Sequence, residues 1–83
     1  MSNTIIWSKD GCFYCMMAKQ LLDSKGISYE ERNISSNNWT REQLLEAAPG
    51  TTTVPQIFLY GKYVGGYDEL RQYAEEHEMW RND

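Results

Sequence analysis

Thr4-Ile5-Ile6-Trp7-Ser8-Lys9-Asp10-Gly11-Cys12-Phe13-Tyr14-Cys15 is the stretch from which the rest of the chain can be read. Thr4 to Ser8 holds β-branched and aromatic residues in an unbroken run, Thr4-Ile5-Ile6-Trp7, which suits a strand buried on both faces. Lys9-Asp10-Gly11 breaks it. From Phe13 to Lys25 the pattern turns helical, with Cys15, Ala18, Leu21 and Leu22 on one face, and Gly26 follows as a C′ stop. The only two cysteines therefore fall at the first turn of a helix. Helix starts present unpaired N–H groups and a partial positive charge, and both favour a thiolate over a thiol. Such cysteines have pKa values lowered to roughly 3.5–7.5, so Cys12 is expected to be a nucleophile near neutral pH. Cys15 lies deeper in the helix and is expected to act second.

Ile27 to Ile34 reads as a second strand and Ser35-Ser36-Asn37-Asn38 as a loop. Thr40 and Gln43 have capping-box spacing, so a second helix is expected from Arg41, carrying Leu44, Leu45 and Ala48 and ending at Pro49-Gly50. Gln56 to Tyr60 reads as a third strand. Gly61-Lys62 then reads as a two-residue type II′ turn, and Tyr63-Val64 as a short fourth strand. Gly65-Gly66 bends the chain into a last helix opened by Tyr67 or Asp68, with Leu70, Tyr73, Ala74 and His77 on one face. The tail from Met79 is polar apart from Trp80 and is expected to fray. The order is β-α-β-α-β-β-α, an α/β chain whose first crossover should join parallel strands and whose last two strands should form an antiparallel hairpin.

With 83 residues the chain is expected to form one domain over 1–83, burying roughly 60% of its unfolded surface. Twelve acidic against eight basic residues, a formal net charge of -4, argue against nucleic acid and against an anionic membrane surface. A disulfide across so short a loop removes little entropy from the unfolded chain, so a redox-active pair reads better than a structural staple. That suits a reducing, intracellular setting. Met1-Ser2-Asn3-Thr4 lacks a basic leader and Ile5-Ile6-Trp7 is too short to span a bilayer, so a cytoplasmic location is expected. His77, the only histidine, cannot complete a four-ligand zinc site with two cysteines. Met16 and Met17 read as helix surface or core, Trp7 as core, and Trp39 as a hydrophobic cap on the second helix.

Three motifs, Cys12-Phe13-Tyr14-Cys15, Thr53-Val54-Pro55 and Gly65-Gly66-Tyr67-Asp68, occur in this order, each on the expected element. In this the chain resembles a glutaredoxin, over nearly its whole length. The resemblance implies the thioredoxin fold, a four-stranded mixed sheet flanked by three helices. It also implies glutathione as co-substrate, with Cys12 attacking a disulfide and Cys15 resolving the product. Lys9, three residues upstream of Cys12, is close enough to add a positive field there, with a solvated strand-end lysine as the alternative; the resemblance implies that it also helps hold a glutathione carboxylate. Tyr14 would lie beside the glutathione sulfur. Bare sequence favours a trans Val54-Pro55 bond. The resemblance reverses this, implying a cis bond that turns the Val54 backbone toward an extended peptide. Thr53, Val54 and Pro55 would line the ligand site, and Gly66, Tyr67 and Asp68 would hold the γ-glutamyl end. Glycines allow close approach there, and the helix start offers N–H groups to a carboxylate. Asp68 would pair with the α-ammonium group, or stabilise its own helix near the N-cap. Arg41, or Gln43 in its place, would contact the glycine carboxylate.

Phe13 stands where the family usually has proline, restoring an N–H near the Cys12 sulfur. Some family members lacking that proline hold a [2Fe–2S] cluster between two chains, using the first cysteine of each (here Cys12) and two glutathiones. The expectation is nevertheless a glutathione-dependent thiol–disulfide oxidoreductase acting as a monomer without metal. By family analogy, ribonucleotide reductase is a plausible electron acceptor. The rival readings are the cluster carrier and a thioredoxin-like carrier fed by a reductase protein.

Overall fold

The computed structural model describes residues 3–51 and 53–77, with His77 described by its backbone alone. The readings made for Met1 and Ser2, for the His77 side chain and for the tail with Trp80 lie outside the described residues. The chain runs β1 (Ile5–Ser8), α1 (Phe13–Ser24), β2 (Glu30–Asn33), α2 (Arg41–Ala47), β3 (Gln56–Leu59), β4 (Lys62–Gly65) and α3 (Tyr67–His77). The strands form one sheet in the order β2-β1-β3-β4. The β1–β2 pair is parallel, whereas β1–β3 and β3–β4 are antiparallel.

Alternate side chains of a strand point to opposite faces, and β1 uses both. Ile6 joins Ala18 and Leu22 of α1, Leu70 and Ala74 of α3, and Ile27, Ile57 and Leu59 in the larger core cluster. Trp7 points the other way, onto Leu44 and Ala48. The sheet is thus covered on one face by α1 and α3 and on the other by α2. The expected doubly buried first strand is present.

The capping box is also present. Thr40 Oγ1 accepts the Gln43 N–H at 3.1 Å, and Gln43 Oε1 accepts the Thr40 N–H at 2.9 Å. Trp39 packs with Leu44 against Trp7, its ring edge-on at 5.5 Å between centroids. The Arg32 guanidinium lies 4.3 Å from the Trp39 ring centroid and 5.3 Å from that of Trp7, so a cation covers this apolar corner.

Several boundaries differ from expectation, among them the third strand, which ends at Leu59 and not Tyr60. The second strand is Glu30–Asn33, not Ile27–Ile34, because Ile27 is already spent on the core before the chain pairs with β1. Of the second helix's apolar residues, Leu44 is buried while Leu45 is exposed, and Ala48 is the C-cap. The hairpin turn is centred on Tyr60-Gly61 and not on Gly61-Lys62, since Leu59 pairs with Lys62. Both central residues have positive φ, 52° and 85°, which is the mark of type I′ and not II′. The shift lengthens the fourth strand to Lys62–Gly65, with an irregularity that leaves Ile57 opposite Gly65 and Phe58 opposite Tyr63. The Tyr60 N–H is satisfied by Thr4 Oγ1 at 3.2 Å.

Candidate functional site

Cys12 is the N-cap of α1 and Cys15 lies in its first turn, with the two joined in a disulfide. The Cys15 N–H donates to Cys12 Sγ at 3.1 Å, so an orphan helix donor is aimed at the first sulfur. A thiolate at Cys12 would receive that bond and the helix-start charge together. Burial separates the pair as expected: Cys12 is part-exposed, whereas Cys15 is 1% exposed. Phe13 turns its ring outward, 62% exposed, and packs edge-on against Tyr14 at 5.6 Å between centroids.

The second motif reaches the first across space. Val54-Pro55 is a cis bond, and the Val54 carbonyl oxygen lies 3.8 Å from Cys12 Sγ. A cavity of about 210 Å³ opens here, lined by Tyr14, Thr53, Val54, Pro55, Gly66, Tyr67, Asp68 and Glu69. Seven of these eight were singled out from the sequence. The Tyr14 and Tyr67 rings approach to 6.0 Å between centroids. Lys9 lines a separate cavity shared with Cys12 and Cys15. Arg41, exposed at the start of α2, lines neither of these two cavities.

At the start of α3 the helix opens at Tyr67, one of the two openings read from the sequence, with Asp68 next to it in the first turn. Gly66 occupies the capping position: its carbonyl accepts the Leu70 N–H at 2.9 Å, and its own N–H donates to Glu69 Oε1 at 2.9 Å. Asp68 is left exposed in the first helical turn. The reach of Glu69 back to Gly66 was legible, because an acidic residue three positions after a capping residue is half of a capping box.

A second unforeseen group holds the proline loop. Tyr63 Oη donates to Gln56 Oε1 at 2.6 Å, and Gln56 Nε2 donates to the Thr53 carbonyl at 3.0 Å. Gln56 is 6% exposed, so these bonds satisfy a polar side chain that would otherwise be costly to bury. No short spacing in the sequence signals this bond, since it depends on how β4 registers against β3.

Charge is shifted at two groups. Burial pushes the Glu31 carboxyl up, but hydrogen bonds from Ser8 and Lys19 and the Lys19 charge outweigh it, leaving the group below its usual range. Burial and the nearby Asp23 carboxylate push the Tyr29 phenol up. Among the described residues no three His, Cys, Asp or Glu side chains gather as a metal site. No described helix is long and apolar enough to cross a membrane.

Two cysteines that close and reopen a disulfide at a helix start, on this sheet order, define a thiol–disulfide oxidoreductase of the thioredoxin fold. The glutaredoxin family model matches residues 4–64. Escherichia coli Glutaredoxin 3 is 46% identical over 70 residues, covering 84% of this chain and 83% of its own. The crystal structure of a buckwheat glutaredoxin–glutathione complex superposes with a TM-score of 0.80 at 27% identity, covering 94% of this chain and 73% of that one. The solution structure of a Brucella melitensis glutaredoxin gives 0.75 at 37% identity, covering 95% and 85%. The chain belongs to the glutaredoxin family.

Proposed function

We propose that this glutaredoxin uses glutathione to reduce protein disulfides and glutathione mixed disulfides. The observation that carries the reading is the 210 Å³ groove, whose walls are the Thr53-Val54-Pro55 loop, Tyr14 and the start of α3, beside Cys12. An extended tripeptide has a carboxylate for the helix start, an ammonium group for Asp68, and backbone groups to pair with Val54. Lys9 adds positive charge on the other flank of Cys12, and Arg41 (or Gln43) is assigned the glycine carboxylate.

In the forward step the Cys12 thiolate attacks one sulfur of the substrate disulfide. A Cys12–substrate S–S bond forms, the old S–S bond breaks, and its electron pair leaves on the departing thiolate. When the substrate is a glutathionylated protein, the sulfur attacked is that of glutathione, and the protein thiol departs. A second glutathione thiolate then attacks the glutathione sulfur of the mixed disulfide, releasing oxidised glutathione and restoring Cys12. For a protein disulfide, Cys15 attacks Cys12 Sγ instead and closes the observed disulfide. We place this activity in the cytoplasm of the cell, in one domain over 1–83 acting as a monomer, with ribonucleotide reductase among the acceptors.

The test couples glutathione, glutathione reductase and a small glutathione mixed disulfide. Cys12→Ser is expected to abolish turnover and Cys15→Ser to retain part of it. A Cys12→Ser protein that kept its rate would overturn the assignment. Turnover supported by a thioredoxin-type reductase but not by glutathione would favour the rival carrier.

A further inference from the structure

Lys19 plays no part in the proposed reaction, yet it lines the same cavity as the disulfide. That cavity, of about 420 Å³, is bounded by Cys12, Cys15, Lys9, Asp10, Met16 and Lys19 among others. Lys19 lies four residues beyond Cys15 on α1, hence on the same flank one turn on. Helical side chains lean toward the helix start, so the Lys19 stem runs back toward the turn that carries Cys15.

Its ammonium is held. Lys19 Nζ donates to Glu31 Oε2 at 2.9 Å, and the same oxygen accepts the Ser8 hydroxyl at 2.7 Å. Ser8 is fully buried, so the far end of this chain of bonds is fixed in the interior. The carboxylate that anchors Lys19 is ionised at neutral pH, which keeps the pair charged. From the loop between β1 and α1, Lys9 and Asp10 also face the cavity, and Asp10 accepts a bond from Asn33 Nδ2 at 2.9 Å. Those two charges lie on the loop beside Cys12, whereas Lys19 lies on Cys15's own helix, one turn beyond it.

The chemistry needs such a charge. When an incoming thiolate attacks Cys12 Sγ, a new S–S bond forms, the Cys12–Cys15 bond breaks, and its electron pair goes to Cys15 Sγ. At 1% exposure this sulfur is poorly hydrated, and an unsolvated thiolate is a poor leaving group. We propose that Lys19, positioned by Glu31, is the cation that stabilises the Cys15 sulfur as a thiolate whenever the disulfide opens. The inference rests on the disulfide turning over, but not on glutathione being the reductant. Solvent later supplies the proton that converts the thiolate to the resting thiol.

The test reads opposite signs from the two partners. In a Cys12→Ser background the Cys15 pKa is measured by thiolate absorbance against pH, with no glutathione present. Lys19→Gln is expected to raise it by about one unit and Glu31→Gln to lower it, whereas Lys19→Arg keeps it near the parent value. In the protein with both cysteines, Lys19→Gln should slow opening of the disulfide by dithiothreitol about threefold, as a poorer leaving group requires. A merely structural ion pair would make both neutral variants shift the pKa in the same direction. That result, or a Cys15 pKa unmoved by Lys19→Gln, would overturn the proposal while leaving the glutathione reading intact.

Discussion

Tyr63→Phe tests whether the Tyr63–Gln56–Thr53 relay shapes the ligand groove. The substitution keeps the ring, whose centroid lies 5.1 Å from that of Phe58, and deletes only the hydroxyl that donates to Gln56 Oε1 at 2.6 Å. A typical hydrogen bond contributes about 1 kcal/mol net, and leaving a buried acceptor unsatisfied costs about 1–3 kcal/mol. Because Tyr63 is 47% exposed, water can reach the vacated position, so the lower figure, about 1 kcal/mol, applies. For a domain of this size that lowers Tm by about 4–8 °C. With its oxygen no longer tied to Tyr63, Gln56 holds the Thr53 carbonyl less firmly, and the groove loses some preorganisation. If the same free energy is lost from glutathione binding, KM for glutathione rises about fivefold with kcat little changed. Thermal unfolding and steady-state kinetics on Tyr63→Phe, Gln56→Leu and the double variant measure both effects. Stability changes that simply add, with KM unmoved, would refute the relay.

Gly65 sits at a φ of +126°, and a Cβ there would lie 3.0 Å from Glu69 Cγ. Gly65→Ala is expected to cost about 1–3 kcal/mol in urea unfolding, and an unchanged midpoint would contradict the backbone described. Thr40→Ala removes half of the capping box on α2 and is expected to cost about 1 kcal/mol by the same measurement. The Glu31 carboxyl has a lowered pKa in the folded protein. Its contribution is therefore present above the unfolded value of about 4.3 and is lost as pH falls through the depressed folded value. The stability gap between the parent protein and Glu31→Gln should shrink as pH drops from about 6 to about 3, and a constant gap would show that ionisation of Glu31 is not linked to folding.

Much of the fold was legible because its signals are local. The doubly apolar β1, the helical face of Cys15, Ala18 and Leu22, and the Thr40–Gln43 box each depend on residues close in sequence. The three motifs also placed seven of the groove's eight lining residues, because each motif lies on the element end that meets the others. What escaped depends on distant choices. Ile27 reads as strand by composition, but tertiary packing takes it into the core first. Tyr60 carries no turn signal of the Asn or Gly kind, yet the sheet register forces it to positive φ. The Gln56–Tyr63 bond and the Ser8–Glu31–Lys19 chain cross between elements, so no short spacing encodes them.

The outer rims of the sheet carry a further consequence. One rim is β2, whose four residues Glu30, Glu31, Arg32 and Asn33 are all charged or polar, and the other is β4, which begins with Lys62 and is broken in register. Another chain adding a strand at either rim would have to strip water from those charges or follow an irregular ladder. Copies of this glutaredoxin are thereby discouraged from stacking edge to edge into fibrils, even though the domain is small and its sheet is open at both ends.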